Sequence, residues 1–193
     1  AMIVDRADEI AYMSHDIDDG INSGLISFDT LKNSSLVCKV LDMVHAEGID
    51  EENDEMFRYR FTSYFINHLI YSLLEYSKDR IDSNNGVLVS SLDAQSKLPI
   101  GFNEELEREI KILKAILFKE LYQHEKIVRK MFAGKQSIKG LYSAFMSESK
   151  LLPKHYIKQL DFKNRHRVVA DFIASLSDRE ALTLYNELYG RVY

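Results

Sequence analysis

The 193-residue sequence has one cysteine, two prolines, eight glycines and no tryptophan. A single thiol excludes an internal disulfide and is typical of a reducing compartment, so we expect a cytoplasmic protein. The scarcity of proline and glycine leaves long stretches without helix breakers. No uninterrupted apolar run approaches the ~20 residues that cross a bilayer, so the sequence predicts no membrane partner.

Charge and hydrophobic content narrow the class of protein further. The formal net charge is −5, from 25 Lys and Arg against 30 Asp and Glu, which argues against a dedicated nucleic-acid binder. A hydrophobic content of 46% is enough to fill a core. Because the sequence shows no repeat and no low-complexity tract, it predicts one helical domain over residues 1–193.

Helical periodicity runs through most of the chain. Apolar residues recur every three or four positions, which predicts an all-α fold arranged as an irregular multi-helix bundle. Residues 82–86 carry a strong loop signal, and residues 87–98 stay unassigned. The predicted helices cover residues 2–23, a short segment from 28, 36–46, 53–80, 104–121, 138–146, 165–176 and 179–188.

Local signals mark where these helices begin and end. Gly24 and Gly48 suit the position that follows a helix, because glycine adopts the left-handed conformation there without strain. Ser27 and Asn103 suit the N-cap position, where a side-chain oxygen accepts a hydrogen bond from the first turn. Gly134 predicts a turn that separates two helices.

Side-chain patterns predict further local features. Cys38 lies among apolar residues, which predicts a buried thiol. Ser177 and Glu180 have the spacing of a capping box. Two neighbouring apolar rows predict that the helix over 53–80 is buried across a wide face. The rows are Phe61, Phe65, Leu69 and Leu73, and Ile66, Ile70 and Leu74.

The first predicted helix carries the most informative polar pattern. Steps of four residues turn an α-helix by only ~40°, so Asp8, Tyr12 and Asp16 form one ridge. Two carboxylates and a phenol suit a divalent cation and a ligand that bears a hydroxyl group. On spacing alone, Asp8 is better explained as an acidic residue favoured by the helix dipole than as a metal ligand.

The segment from Ala7 to Gly20 closely resembles the deoxynucleoside triphosphate (dNTP) triphosphohydrolases of the HD superfamily. That family reads A-D-[DE]-I-A-Y-x-x-H-D-x-x-D-G here, and every specified position agrees. The resemblance implies an enzyme that splits a dNTP into a deoxynucleoside and tripolyphosphate at a metal site. It implies Asp8 as a metal ligand, with Tyr12 and Asp16 near the sugar 3′-hydroxyl. From its chemistry, His15 is either a catalytic general acid, a residue that hydrogen-bonds to a metal ligand, or a surface histidine.

The same resemblance implies that the chain is the C-terminal half of such an enzyme. Residues 1–24 would be the last metal-ligand helix of the HD core, and residues 25–193 a C-terminal helical region. The family's first His and its His-Asp pair belong upstream of this motif, so His15-Asp16 is not that pair. We therefore expect Mg²⁺ or Mn²⁺ in the full-length enzyme, no metal bound by this chain, and no hydrolysis by it alone.

Weaker similarity extends along the rest of the chain. Arg58 and Arg60 fall where the family has a basic cluster, which implies contacts with the substrate's phosphates; the alternative is a solvated helix end. The segments around 113–122, 151–153 and 167–179 also resemble the family. The family commonly assembles into oligomers, so we expect a homo-oligomer with a dNTP as the substrate of the intact enzyme.

A different class of function stays open. The sequence is also consistent with a non-catalytic helical interaction or regulatory domain that packs against a partner. An in-frame H…HD segment upstream would favour the enzyme, and its absence would favour the interaction domain.

Overall fold

The structure is a computed structural model that describes residues 2–49, 54–83 and 100–190. No strand occurs within these ranges, and the all-α prediction is confirmed. The unassigned segment 87–98 and most of the predicted loop at 82–86 lie outside the described residues. None of the helices in the described part of the chain is long and apolar enough to cross a membrane.

The described residues form nine α-helices. Three short non-α turns also occur: a π-helical turn at Phe118–Tyr122 and 3₁₀ turns at Ser149–Leu151 and Lys158–Asp161. The helices are α1 (Met2–Asn22), α2 (Phe28–Leu31), α3 (Ser35–His45), α4 (Asp54–Ser83), α5 (Glu104–Leu117), α6 (Glu125–Ser147), α7 (Lys154–Ile157), α8 (Arg165–Ala174) and α9 (Asp178–Tyr189).

The chain divides into two compact units, an N-terminal unit of Ala1–His124 and a C-terminal unit of Glu125–Tyr193. The core of the N-terminal unit is built from α1, α3, α4 and α5, together with short connecting segments. The core of the C-terminal unit lies among α6, α8 and their neighbours. A single domain over residues 1–193 stays a prediction, because two compact units can fold together or separately.

Most of the predicted helix ends are confirmed. Gly24 and Gly48 have φ angles of 66° and 74°, the left-handed conformation that glycine adopts most readily. The Asn103 side chain accepts a hydrogen bond from the Leu106 amide at 2.8 Å. Ser27 caps α2 in the same way, and the capping box at the start of α9 is complete.

Three local predictions are wrong. Gly134 lies inside the continuous helix α6, because one interior glycine lowers helix stability without ending the helix. On α4 the first apolar row is buried, but Ile70 and Leu74 of the second row are exposed, since the core packs against one face only. Cys38 is half-buried, and its thiol donates a hydrogen bond to the Lys32 carbonyl oxygen at 3.1 Å.

Candidate active site

Helix α1 presents the predicted polar ridge. The helix is continuous from Met2 to Asn22, and Asp8, Tyr12 and Asp16 share one face, as predicted. The opposite side of α1 is anchored in the core by Ile10, Met13 and Ile17. Along the ridge Asp8, Tyr12 and His15 are exposed, and Asp16 is half-buried. Within the described ranges, neither the Asp8 nor the His15 side chain makes a hydrogen bond or an ion pair. The ridge is therefore held rigidly while its polar atoms face outward.

One flank of the ridge is formed by the end of α5 and the π-helical turn that follows it. The Tyr122 phenol donates a hydrogen bond to the Asp16 carboxylate. Burial, and next the hydrogen bond to Asp16, raise the pKa of the Tyr122 phenol well above its usual range. Tyr122 therefore stays a proton donor and fixes the orientation of the Asp16 side chain.

A charged network supports the same flank. Lys114 of α5 donates a hydrogen bond to Glu9, and its ammonium lies 5.8 Å from the centre of the Tyr12 ring. Arg6 bridges Glu9 and Glu107, with both nitrogen–oxygen distances at 2.6 Å. Burial alone would raise the pKa of Glu9, but hydrogen bonds from Lys114 and Arg6 outweigh it and leave that pKa lowered. Glu9 is thus ionised at neutral pH and holds Lys114 beside Tyr12.

The other flank of the ridge is formed by α4. Asp16 and Asp18 lie ~80° to either side of Asp8 around the helix axis. Arg58 of α4 pairs with Asp18 at 3.2 Å, so the arginine reaches α1 from the side opposite Tyr122. An open cavity of about 380 Å³ surrounds this pair. Its lining residues are Asp18, Glu55, Arg58, Tyr59, Thr62, Ser63 and Ile66.

The two predicted phosphate-binding arginines have different surroundings. Arg60 pairs with Glu47, at 3.3 Å, and Glu47 also accepts a hydrogen bond from Tyr64 at 2.5 Å. Arg60 is therefore engaged by the segment that follows α3 and does not line the cavity beside α1. Of the two, only Arg58 lies in contact with the motif helix.

A metal centre would need more donors than this part of the chain brings together. Among residues 2–49, 54–83 and 100–190, no three His, Cys, Asp or Glu side chains are grouped closely enough to hold an ion. Asp8 can supply one carboxylate oxygen, the ligand type that Mg²⁺ and Mn²⁺ prefer. The roles of Asp8, Tyr12, His15, Asp16, Arg58 and Arg60 stay predictions.

Sequence reasoning did not predict the roles of Lys114 and Tyr122. Both occur in the second segment that resembles the family, around 113–122, but their contacts with α1 bridge more than 100 sequence positions. One feature of the sequence could have indicated these contacts: two segments of the same chain resemble the same family. Segments that share a site are often distant in sequence, and the structure places these two against each other.

The class of protein is indicated by similarity to known proteins. A family model described as a phosphohydrolase-associated domain matches residues 100–187. A relative from Wolinella succinogenes, named deoxyguanosinetriphosphate triphosphohydrolase-like protein, is 46% identical over 190 residues, which cover 98% of this chain and 52% of the relative. These matches support a dGTP triphosphohydrolase-like protein of the HD superfamily.

More distant relatives have the same name. The protein from Geobacter sulfurreducens is 31% identical over 192 residues, covering 98% of this chain and 49% of the relative. The one from Nitrosomonas europaea is 31% identical over 190 residues, covering 98% of this chain and 50% of the relative. The chain therefore spans about half the length of the curated relatives that it matches.

Proposed function

We propose that this chain forms one wall of the active site of a dNTP triphosphohydrolase, which cleaves dNTP to deoxynucleoside and tripolyphosphate. The observation that carries the proposal is the outward ridge of Asp8, Tyr12 and Asp16 on α1, with Asp16 oriented by Tyr122. A carboxylate in a fixed orientation recognises a hydroxyl group at little entropic cost. dGTP is the substrate class that the relatives' names suggest.

Each ridge residue has a chemical role in this proposal. Asp8 would contribute one oxygen ligand to a Mg²⁺ or Mn²⁺ ion, which when bound polarises water and phosphate oxygens. One Asp16 oxygen accepts from Tyr122, so the other is free to accept from the sugar 3′-hydroxyl, while Tyr12 donates to that hydroxyl. His15 is exposed one turn beyond Tyr12, where it could give a proton to the departing nucleoside oxygen.

The flanks of the ridge supply positive charge for the polyphosphate. Arg58 offers a planar guanidinium beside an open cavity, a geometry that suits bidentate contact with phosphate oxygens. Lys114 adds a second cation next to Tyr12. We assign Arg60 a weaker role, because it pairs with Glu47 and does not line the cavity beside α1.

The second part of the proposal concerns the cellular compartment and the oligomeric state of the protein. We infer a cytoplasmic protein, since the lone Cys38 suits a reducing compartment. We also infer a homo-oligomer, which the exposed apolar side chains of both units support.

Activity measurements test the proposal directly. The purified 193-residue chain, incubated with each dNTP and Mn²⁺ or Mg²⁺, is expected to release no tripolyphosphate, because metal sites draw on several ligands and no other carboxylate or histidine of the described residues is grouped with Asp8 to complete one. The full-length protein that contains these residues is expected to release tripolyphosphate, and Asp8→Ala is expected to abolish that release. Asp8-independent hydrolysis by the full-length protein would contradict the proposal.

A further inference from the structure

The C-terminal unit contains an open groove that the proposed active site does not use. Its volume is about 1060 Å³, and it runs between α6, α8 and α9. Met131 and Ile138 of α6 line it together with Ile173 of α8 and Leu182 of α9. Met131, Ile138 and Leu182 are all exposed, so the groove presents apolar surface to water. An apolar surface of this kind marks a binding site more often than a neutral patch.

Gly134 gives independent evidence that the groove accepts a close partner. Glycine inside a helix is destabilising relative to alanine, so an interior glycine needs a reason. At Gly140 the reason is internal, because a Cβ would overlap the ring of Tyr185. At Gly134 a Cβ would meet no atom within 4 Å, so nothing in the folded unit requires glycine there. Its backbone lies bare on the groove and allows another chain to approach closely.

The charges around the groove indicate the sign of the partner. Lys135 and Lys139 follow one edge of α6, one turn apart, and Lys130 lies towards the N-terminal end. All three are exposed, and none forms an ion pair with another described residue. The only acidic lining residue is Asp178, at the start of α9. The C-terminal unit as a whole has 13 Lys and Arg against 7 Asp and Glu.

The length of the groove indicates the shape of the partner. Its lining positions on α6 run from Lys130 to Tyr142, which is about 18 Å, or three helical turns, at 1.5 Å per residue. A compact anionic headgroup would contact only one end of such a groove. Carboxylates one turn apart on a helix match the spacing of Lys135 and Lys139.

From these observations we propose that the groove binds an acidic amphipathic helix of a partner protein. Apolar residues at helical spacing fill the groove, and acidic residues one turn apart pair with Lys135 and Lys139 along its edge. This is the helix-in-groove mode of recognition, with Gly134 as the point of closest backbone approach. The site is additional to the proposed hydrolase function and does not depend on it.

Peptide binding tests the proposal without knowledge of the natural partner. The probe is a fluorescein-labelled peptide of about 14 residues, with leucines on one helical face and two glutamates one turn apart beside that face. Fluorescence anisotropy with the 193-residue chain is expected to show saturable binding that weakens with salt. A matched peptide with lysines in place of glutamates is expected to bind roughly tenfold more weakly. Equal binding of both peptides, or saturation by neither, would overturn the proposal.

Two substitutions on α6 locate the binding. Gly134→Leu fills the groove where no atom lies nearby, so the helix content and thermal midpoint of the variant should equal or exceed those of the parent. It is expected to weaken peptide binding by about tenfold or more, because the bare backbone is covered. Gln136→Leu adds the same side chain to an exposed position of α6 outside the groove and should leave peptide binding unchanged.

Charge reversal distinguishes a partner helix from a second copy of this chain. Lys135→Glu combined with Lys139→Glu is expected to reverse the preference, so that the lysine peptide binds better than the glutamate peptide. If Gly134→Leu changes the sedimentation behaviour of the chain while neither peptide binds, the groove is an interface between copies and the proposal is wrong.

Discussion

Tyr122 and Asp16, 106 positions apart in sequence, are joined by a hydrogen bond from phenol to carboxylate. The bond connects the π-helical turn after α5 to the polar ridge of α1, so a residue outside the motif determines how a motif carboxylate points. Because α1 is fixed on its other side by the core, Asp16 is held from two directions.

Replacing Tyr122 with phenylalanine should destabilise the 193-residue chain in a pH-dependent way. The hydrogen bond to a partly buried carboxylate is worth about 1 kcal/mol at neutral pH. Because the pKa of Tyr122 is raised on folding, this stabilisation is fully present below the unfolded-state pKa of about 10 and is lost as the pH rises above it. Urea unfolding of parent and variant should therefore differ most near pH 7 and converge in alkali.

Tyr71→Phe is the matched control. It removes the same hydroxyl group from a side chain that is 71% exposed, so it should leave the free energy of unfolding nearly unchanged. A difference between Tyr122→Phe and the parent that persists unchanged in alkali would contradict the assignment of the hydrogen bond.

Tyr12→Phe should weaken substrate positioning in the proposed full-length enzyme. Loss of one hydrogen bond to the sugar hydroxyl corresponds to roughly a fivefold rise in KM with little change in kcat. A substrate without the 3′-hydroxyl should bind parent and variant equally, because the missing contact is the same one. Steady-state kinetics with dGTP and its 3′-deoxy analogue measure both effects. If the variant still prefers dGTP over the analogue as strongly as the parent does, Tyr12 does not have this role.

Arg58 and Arg60 form a pair of matched substitutions. Arg58→Ala should raise KM for dGTP about tenfold in the proposed full-length enzyme, because it removes the guanidinium that we propose contacts the substrate's phosphates. Arg60→Ala removes a partly exposed ion pair with Glu47 and should change KM by no more than about twofold. The thermal midpoints of both variants separate losses of folding from losses of binding. Equal effects on KM would show that the cavity beside α1 does not hold the phosphates.

Replacing each of two glycines of α6 with alanine should change the free energy of unfolding in opposite directions. Gly134→Ala should stabilise the chain by about 0.5–1 kcal/mol, because alanine is the better helix former and its methyl meets nothing. Gly140→Ala should destabilise it by ~1–3 kcal/mol, because the methyl overlaps the Tyr185 ring and the contact with α9 must shift. Urea denaturation of the two variants gives the sign directly, and a stabilising Gly140→Ala would contradict the packing of α6 against α9.

The 193-residue chain should self-associate in solution. Exposed apolar side chains outside the groove occur in both units, with Leu74 of α4 at 59% and Phe132 of α6 at 63% exposure. Burial of such surface against another copy is favourable in water. Light scattering at increasing concentration should report a mass above the 22.4 kDa of one chain. A monomer at the highest attainable concentration would refute this expectation.

Local chemistry explains which features the sequence predicts. Ser27, Asn103 and the capping box at Ser177 act within one helical turn, so short patterns are sufficient to find them. The exposure of Ile70 and Leu74 on α4 depends on which helices meet, and so does the pairing of Tyr122 with Asp16. Apolar periodicity identifies surfaces that can be buried, but the number of neighbours decides which of them are. The turn predicted at Gly134 was wrong because a turn and an interior helical glycine have the same local sequence signal.

In the π-helical turn at Phe118–Tyr122, the number of residues should matter more than their identity for the position of the Tyr122 side chain. A π turn accommodates extra backbone relative to an α-helix, and Tyr122 reaches Asp16 from that register. Deleting one residue would restore the α-helical register and rotate the phenol by about 100° away from the carboxylate. Phe118, which is exposed, should accept many substitutions. The turn should therefore tolerate changes of sequence there far better than a single-residue deletion.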